Sequence, residues 1–303
     1  MIKMKQVSGI LILVAILFAS CKNGKKVEEV SRTAGNLTML VDESFDDVIS
    51  DQIEVFKTDY PDANFKVISG NENKILPTFL NDSIRTIVLS RRLTPREELA
   101  YRQRSIVIHY SRFAIDGIAL ITNKQNKDSV VTAEQIISIL KGNNTGTNLV
   151  FDNAYSSTLR YFKELSQVSQ LPSKGVYTLK TNDDVIKYVA ENKNYIGVLG
   201  VNWLLEDNEK IASSVAKIKM LGVKNIKGKK GDDAFYKPTQ DNLISGIYPF
   251  LRNVYIINCE GKDGLGTGFA NWLTGPRGQL IVLRSGLGPH KIISREFNLK
   301  STN

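Results

Sequence analysis

The stretch "NLVFDNAYSSTLRYFKEL" (residues 148–165) runs from a short apolar segment, through three consecutive hydroxyl residues, into apolar positions at helical spacing. A strand that turns directly into a helix is the repeating unit of α/β folds. Small hydroxyl residues at such a junction have three ordinary uses: to cap the helix, to present a nucleophile at an elbow, or to cradle an anion against the helix N-terminus.

The alternation extends over nearly the whole chain. "LTMLV" (37–41) precedes Phe45, Val48, Ile49, Ile53 and Phe56, which recur at helical spacing. "FKVIS" (65–69) and "TIVLS" (86–90) read as buried strands. Thr94, Pro95 and Glu97 predict a capping box with proline at the first helical position, and Thr132 with Gln135 predicts another. "GVYTLK", "YIGVLG", "IKMLGV" and "PFLRNVYIIN" add strands, while "NDDVIKYVAEN" and "GFANWLTG" add helices. The expectation is an α/β fold with mixed, mostly parallel sheets. Ligands in such sheets bind beyond the carboxyl ends of strands. Four strand-end groups therefore stand out: Asp42-Glu43-Ser44, Ser90-Arg91, Asp116-Gly117, and Asn153 through Thr158.

Lys3 and Lys5 precede ten uninterrupted apolar residues, Ile10 to Ala19, then Ser20 and Cys21. This is the pattern of a secretory signal, and about 15 Å of helix is too short to span a bilayer core. Cys21 after "FAS" reads as a lipobox cysteine, so residues 1–20 are expected to be a signal peptide and residues 21–36 a lipid-anchored tether. Ordinary cleavage near Ser20 is the alternative. Cys259 would then be the remaining free thiol, expected in the core after "NVYIIN". Removing residues 1–20 takes two lysines and no acid, lowering the formal charge from +9 to +7. Much of that charge sits in "KNIKGKKGDD" and the tether, without an aromatic-interleaved basic stripe, which argues against nucleic-acid binding.

An enzyme reading finds little support. "NAYSSTL" has no flanking glycines for a nucleophile elbow, and neither a Walker motif nor GxGxxG is present. The chain has two histidines: His109 lies in the apolar run "SIVIHYSRF" and reads as a structural imidazole, and His290 follows "GLGP" and reads as surface. No His/Cys group has metal-ligand spacing, and no cofactor is expected. An anion site asks instead for hydroxyls and free helix amides, which Ser156, Ser157 and Thr158 supply where "TLRYFKEL" begins. Ser90 and Arg91 follow "TIVL" in the same manner, with Arg91 able to make a two-pronged contact. Asp116 among them would accept a ligand proton, favouring hydrogen phosphate over fully ionised sulfate. Singly, each residue also has a plain structural reading, as an N-cap, a turn or a solvated charge pair.

"LSRRLTPREE", "FAIDGIALITNKQN", "VTAEQIISILKG", "FDNAYSSTLRYF", "YIGVLGVNW" and "YPFLRNVYI…GFANWLTGPRGQLIVLRSGLGP", in this order, resemble the PstS-type phosphate-binding lipoproteins of bacterial ABC transporters. The resemblance implies a type II periplasmic-binding fold, two α/β lobes joined by two crossover strands. Lobe 1 would comprise residues 37–117 and 223–303, and lobe 2 residues 118–222, with "DGIALITN" and "VAKIKMLGV" carrying the crossovers. By the same resemblance Ser44 and Ser69 match two phosphate loops, Ser90 and Arg91 the Ser-Arg pair, and Asp116 the Asp-Gly. Ser156, Ser157 and Thr158 match the Ser-Gly-Thr cradle, with Asn153 in its loop. The chain departs from the pattern at three places. Ser157 replaces the usual glycine, Asp152 stands near the place of an absent arginine, and Asp42 and Glu43 add carboxylates beside the first loop. The implied function is capture of inorganic phosphate by a monomeric, lipid-anchored receptor at the periplasmic or outer face of a membrane, for delivery to ABC permease subunits. Another oxyanion, an organic phosphate, or a sensor or adhesion lipoprotein of the same fold are the alternatives.

Overall fold

The computed structural model describes residues 31–143, 146–205, 209–261 and 263–291. The expected signal peptide, Cys21 and most of the tether lie outside the described residues.

Twelve strands carry the architecture among the described residues: β1 (Gly35–Asp42), β2 (Ala63–Gly70), β3 (Thr86–Leu89), β4 (His109–Asn123), β5 (Val130–Thr132), β6 (Asn148–Phe151), β7 (Val176–Thr178), β8 (Tyr195–Gly200), β9 (Ile218–Met220), β10 (Gly222–Lys224), β11 (Leu251–Asn258) and β12 (Gly288–Pro289). Between them run α1 (Asp46–Asp59), α2 (Glu72–Leu80), α3 (Pro95–Gln103), α4 (Ala133–Leu140), α5 (Ser157–Ser166), α6 (Asn182–Glu191), α7 (Ala212–Val215), α8 (Gln240–Ile244), α9 (Leu265–Thr274) and α10 (Pro276–Arg284). Thr94 with Glu97, and Thr132 with Gln135, form reciprocal capping boxes that start α3 and α4 where the sequence placed them.

The strands follow the order β2-β1-β3-β11-β4-β8-β6-β7, and β4 is the seam. Its first part pairs antiparallel with β11 as far as Gly117, and from Ile118 it pairs with β8. A single fifteen-residue strand thus belongs to two sheets, one on each side of the 117/118 step. Parallel pairing holds for β1 with β2 and β3, for β6 with β7 and β8, and for β5 with β10. Antiparallel pairing gathers on β4 and β11, the strands that pass along the junction of the sheets. The expected lobe boundary at 222/223 falls inside β10, which is bonded to β5, and the chain meets β4 again where Ile118 donates to the Phe250 carbonyl.

Burial corrects two local expectations. "FKVIS" forms β2, but as an edge strand bonded only to β1, with Val67 and Ile68 exposed. Apolar content alone does not distinguish an edge strand from a central one. His109 is exposed at the start of β4, paired with Asn258 of β11, rather than held in an apolar run. His290 is half-buried, its Nδ1 accepting from Arg112 Nε at 3.0 Å. Cys259 is a buried thiol, as expected.

Gly197 shows how tightly helix and sheet approach beneath the cleft. A β-carbon there would lie 2.7 Å from Ile121 and 2.9 Å from both Val185 and Val189, branched side chains with nowhere to move. Gly197→Ala should therefore lower stability by about 1–3 kcal/mol through overpacking, read as a lower urea midpoint with unchanged m.

Candidate functional site

Several strands run directly into polar residues. β1 runs into Asp42 and a short 3₁₀ turn, Glu43–Phe45; β3 into Ser90; β6 into Asp152; and β8 into a second 3₁₀ turn, Val201–Leu204, containing Asn202. Asp42, Ser44, Ser90, Asp116, Asp152, Ser156, Ser157, Thr158 and Asn202 are all buried. Polar side chains buried together at strand ends mark a binding crevice rather than a hydrophobic core.

The hydroxyl junction opens α5. Ser156 is its N-cap, the hydroxyl accepting from Leu159 N at 3.1 Å, so capping and presentation coincide. The first amides of a helix have no partner within it, and roughly half a positive charge is associated with that end. Ser44 reaches the same place from the other lobe, its Oγ 3.3 Å from Ser157 Oγ. Asn202 Nδ2 donates to the Ser44 carbonyl at 3.3 Å, and Asn153 Nδ2 donates to Glu43 at 2.8 Å. These contacts join the segments that follow β1, β6 and β8.

The cationic partner of the cradle is Arg252, on β11. It donates to Asp116 Oδ2 through Nε at 2.9 Å and Nη2 at 2.5 Å, and through Nη1 to Ser157 Oγ at 3.0 Å. The pair is almost wholly inaccessible. Arg252 and Asp116 are direct cross-strand neighbours in the β11–β4 ladder, one residue before β4 leaves for the second sheet. Arg252 is not among the residues expected from the sequence. The available signal was its position in "LRNVYIIN", on the same alternating face as Val254 and Ile256, which puts an arginine on the buried side.

Two sequence-expected residues are held elsewhere. Arg91 donates to Glu72 at 2.6 Å and to Glu97 at 2.7 and 2.9 Å, so its guanidinium faces carboxylates and not the cradle. Ser69 donates to Asp46. Glu72, buried at the start of α2, also takes Arg160 Nε from α5 at 2.9 Å, and Arg160 Nη2 reaches Ser90 Oγ at 3.3 Å. Glu72 is thus an ionic link between α2 and α5. Beside it opens a cavity of about 490 Å³, lined in part by Tyr155, Ser156, Arg160 and Lys163.

Burial pushes the carboxyls of Asp42 and Asp116 above their ordinary range, against the pull of Arg252. Burial raises Asp152 to about 6, partly offset by hydrogen bonds from Ser156 and the Asn153 amide, with Glu43 and Asp42 adding like-charge repulsion. Among the described residues no group of three or more His, Cys, Asp and Glu side chains is placed to share a metal ion.

Breaking the buried pair from one side leaves a charge without compensation. Arg252→Ala should cost about 3–5 kcal/mol of unfolding free energy, measured by urea denaturation. A loss below about 1 kcal/mol would mean that Asp116 is held by other groups.

Residues 26–277 match the family model described as the PBP superfamily domain. The phosphate-binding protein PstS of Pseudomonas aeruginosa is 22% identical over 294 residues, spanning 86% of this chain and 85% of that protein. PstS of Borreliella burgdorferi is 24% identical over 226 residues, spanning 68% of this chain and 73% of that protein. In fold the chain is similar to a Clostridium perfringens substrate-binding protein assigned to phosphate ABC transport and solved with phosphate bound, with a TM-score of 0.68 at 20% identity, covering 85% of this chain and 100% of the other. It is similar also to an ABC-type phosphate transport receptor of Vibrio cholerae, with a TM-score of 0.65 at 19% identity, covering 84% and 100%. The family match over most of the chain agrees with the mixed α/β fold, and this chain belongs to the PBP superfamily.

Proposed function

We propose that this chain captures inorganic phosphate between its lobes and hands it to an ABC permease, by binding and without covalent chemistry. The observation that carries this reading is the buried first turn of α5, where Ser156, Ser157 and Thr158 meet Ser44 from the opposite lobe and Arg252 at 3.0 Å. A tetrahedral oxyanion there would receive helix amides and hydroxyls on one side, hydroxyls from Ser44 and Ser90 on the other, and a charge-assisted contact from Arg252. Asp116 would accept a ligand proton with its free oxygen while its other oxygen holds Arg252. Arg91 and Asn153 act in this reading as positioning residues, through Glu72 and Glu43, and Ser69 through Asp46. The PstS relatives named above support the ligand, and the Clostridium and Vibrio proteins of similar fold support the transport role.

Export and anchoring complete the proposal. The basic residues Lys3 and Lys5, the apolar run 10–19 and the Ser20-Cys21 junction support lipid attachment at Cys21, with a monomeric receptor held at the membrane by its tether. No helix among the described residues is long and apolar enough to cross a membrane.

Titration calorimetry with phosphate and with sulfate tests the reading. Phosphate should bind and sulfate should not displace it. Ser44→Ala and Thr158→Val should each weaken phosphate about tenfold, the loss of one good hydrogen bond. Arg91→Ala should change affinity less than about threefold, since Arg160 still pairs with Glu72. Absence of phosphate binding would refute the proposal.

A further inference from the structure

The cleft holds more carboxylate than one anion-accepting role requires. Asp42, Asp116 and Asp152 are all buried, and each leaves one oxygen without a hydrogen-bond partner: Oδ2 of Asp42, Oδ1 of Asp116 and Oδ1 of Asp152. The other Asp42 oxygen accepts from the Ser44 amide. The nearby guanidinium groups are already engaged. Arg252 is bonded to Asp116 and Ser157, Arg160 to Glu72, Glu164 and Ser90, and Arg91 to Glu72 and Glu97.

The charged surroundings are equally one-sided. Asp42 faces Arg252, Glu72 and the Ser157 hydroxyl, which is near enough to favour the carboxylate without meeting hydrogen-bond geometry. Asp152 faces Glu43, Asp42 and the Ser156 hydroxyl, and its field also reaches Arg252. Asp116 faces Arg252 and Asp42, with the Tyr161 and Tyr248 hydroxyls within range of its field. One buried guanidinium therefore stands against three buried aspartates. A buried carboxylate oxygen without a donor is costly, and a dianion brought beside three of them costs more. The arrangement is relieved by protons, whether on the ligand oxygens or on the aspartates.

We propose that Asp42 and Asp152, in addition to Asp116, are specificity-determining acceptors that make the cleft select a phosphate carrying more than one proton, counted over ligand and aspartates together. The inference rests on the phosphate reading above. It separates from a one-acceptor site by proton count. If Asp116 alone took a proton from the ligand, monohydrogen phosphate would bind with no proton exchanged in mildly alkaline solution. With Asp42 and Asp152 also facing the ligand, the dianion enters only as a proton is drawn from solvent, and it resides on a phosphate oxygen or on one of the two aspartates. Sulfate brings no proton and meets three acceptors, so it is rejected more strongly than by one.

The test is phosphate calorimetry on the full chain at about pH 8, in two buffers of different ionisation enthalpy, with affinity followed down to about pH 6. The expected result is uptake of about one proton per phosphate at the alkaline end, with affinity falling about tenfold per pH unit there. Asp42→Asn and Asp152→Asn should each reduce the uptake by more than about half and flatten the pH profile. Binding with no proton exchanged in the unmodified protein would overturn the inference and leave the phosphate reading standing. Unchanged uptake in both variants would also overturn it. No binding of phosphate at any pH tried would remove both readings. The proton count of the unmodified protein decides the matter even where a variant fails to fold.

Discussion

The ion pair between Arg252 and Asp116 is the constraint on which the site is built. It joins directly opposed residues of β11 and β4 at the last rungs before β4 changes sheets. A buried ion pair contributes little net stability relative to well-packed apolar residues, because two charges lose their hydration. It is better understood as fixing a register. With the pair formed, Gly117 and Ile118 mark the passage between lobes, and the third guanidinium nitrogen is delivered to Ser157. Tyr248 secures the same passage, its hydroxyl donating to the Ile118 carbonyl at 2.6 Å. The space around Gly117 is filled by Leu243 and Pro238, so the chain cannot broaden there.

From that seam the cleft's chemistry follows. The first residues of α5 meet Ser44 after β1 and Arg252 of β11, and Arg160 of α5 reaches Ser90 after β3. Glu72 ties α2 to α5 by accepting from Arg160 while held by Arg91. The guanidinium groups of Arg91 and Arg160 are held mainly by carboxylates, so in the proposed site helix amides, hydroxyls and Arg252 would surround the anion. A positive helix end set among buried carboxylates favours a ligand that is anionic and still protonated.

The sequence disclosed elements more readily than orientations. The capping boxes of α3 and α4, the N-cap at Ser156 and the buried run of β3 depend on neighbours a few residues away, and each is formed as the pattern requires. The polar groups at Asp42–Ser44, Ser90 and Asn153–Thr158 were legible as strand ends, whereas Asp116, expected at one, lies inside β4, because that strand runs on past Gly117 to pair with β8. Which way a long side chain turns was not. Arg91 lies beside Ser90 in sequence, yet two glutamates at positions 72 and 97 claim it, and nothing in "LSRRL" encodes where Glu72 will stand. The exposure of β2 is of the same kind, since an edge is defined by what does not pair with it.

By itself, then, the amino-acid order determined the βα units, their caps and the residues that strands would carry to their carboxyl ends, because those follow from periodicity and short-range hydrogen bonding. Tertiary structure alone decided that Arg252 of β11 meets Ser157, ninety-five residues away, and that buried Asp42, Asp116 and Asp152 all lie within its electrostatic reach. The physical reason is range. Propensity and capping act within a turn or two of chain, whereas desolvation and charge pairing act between whatever groups the closed sheet brings together.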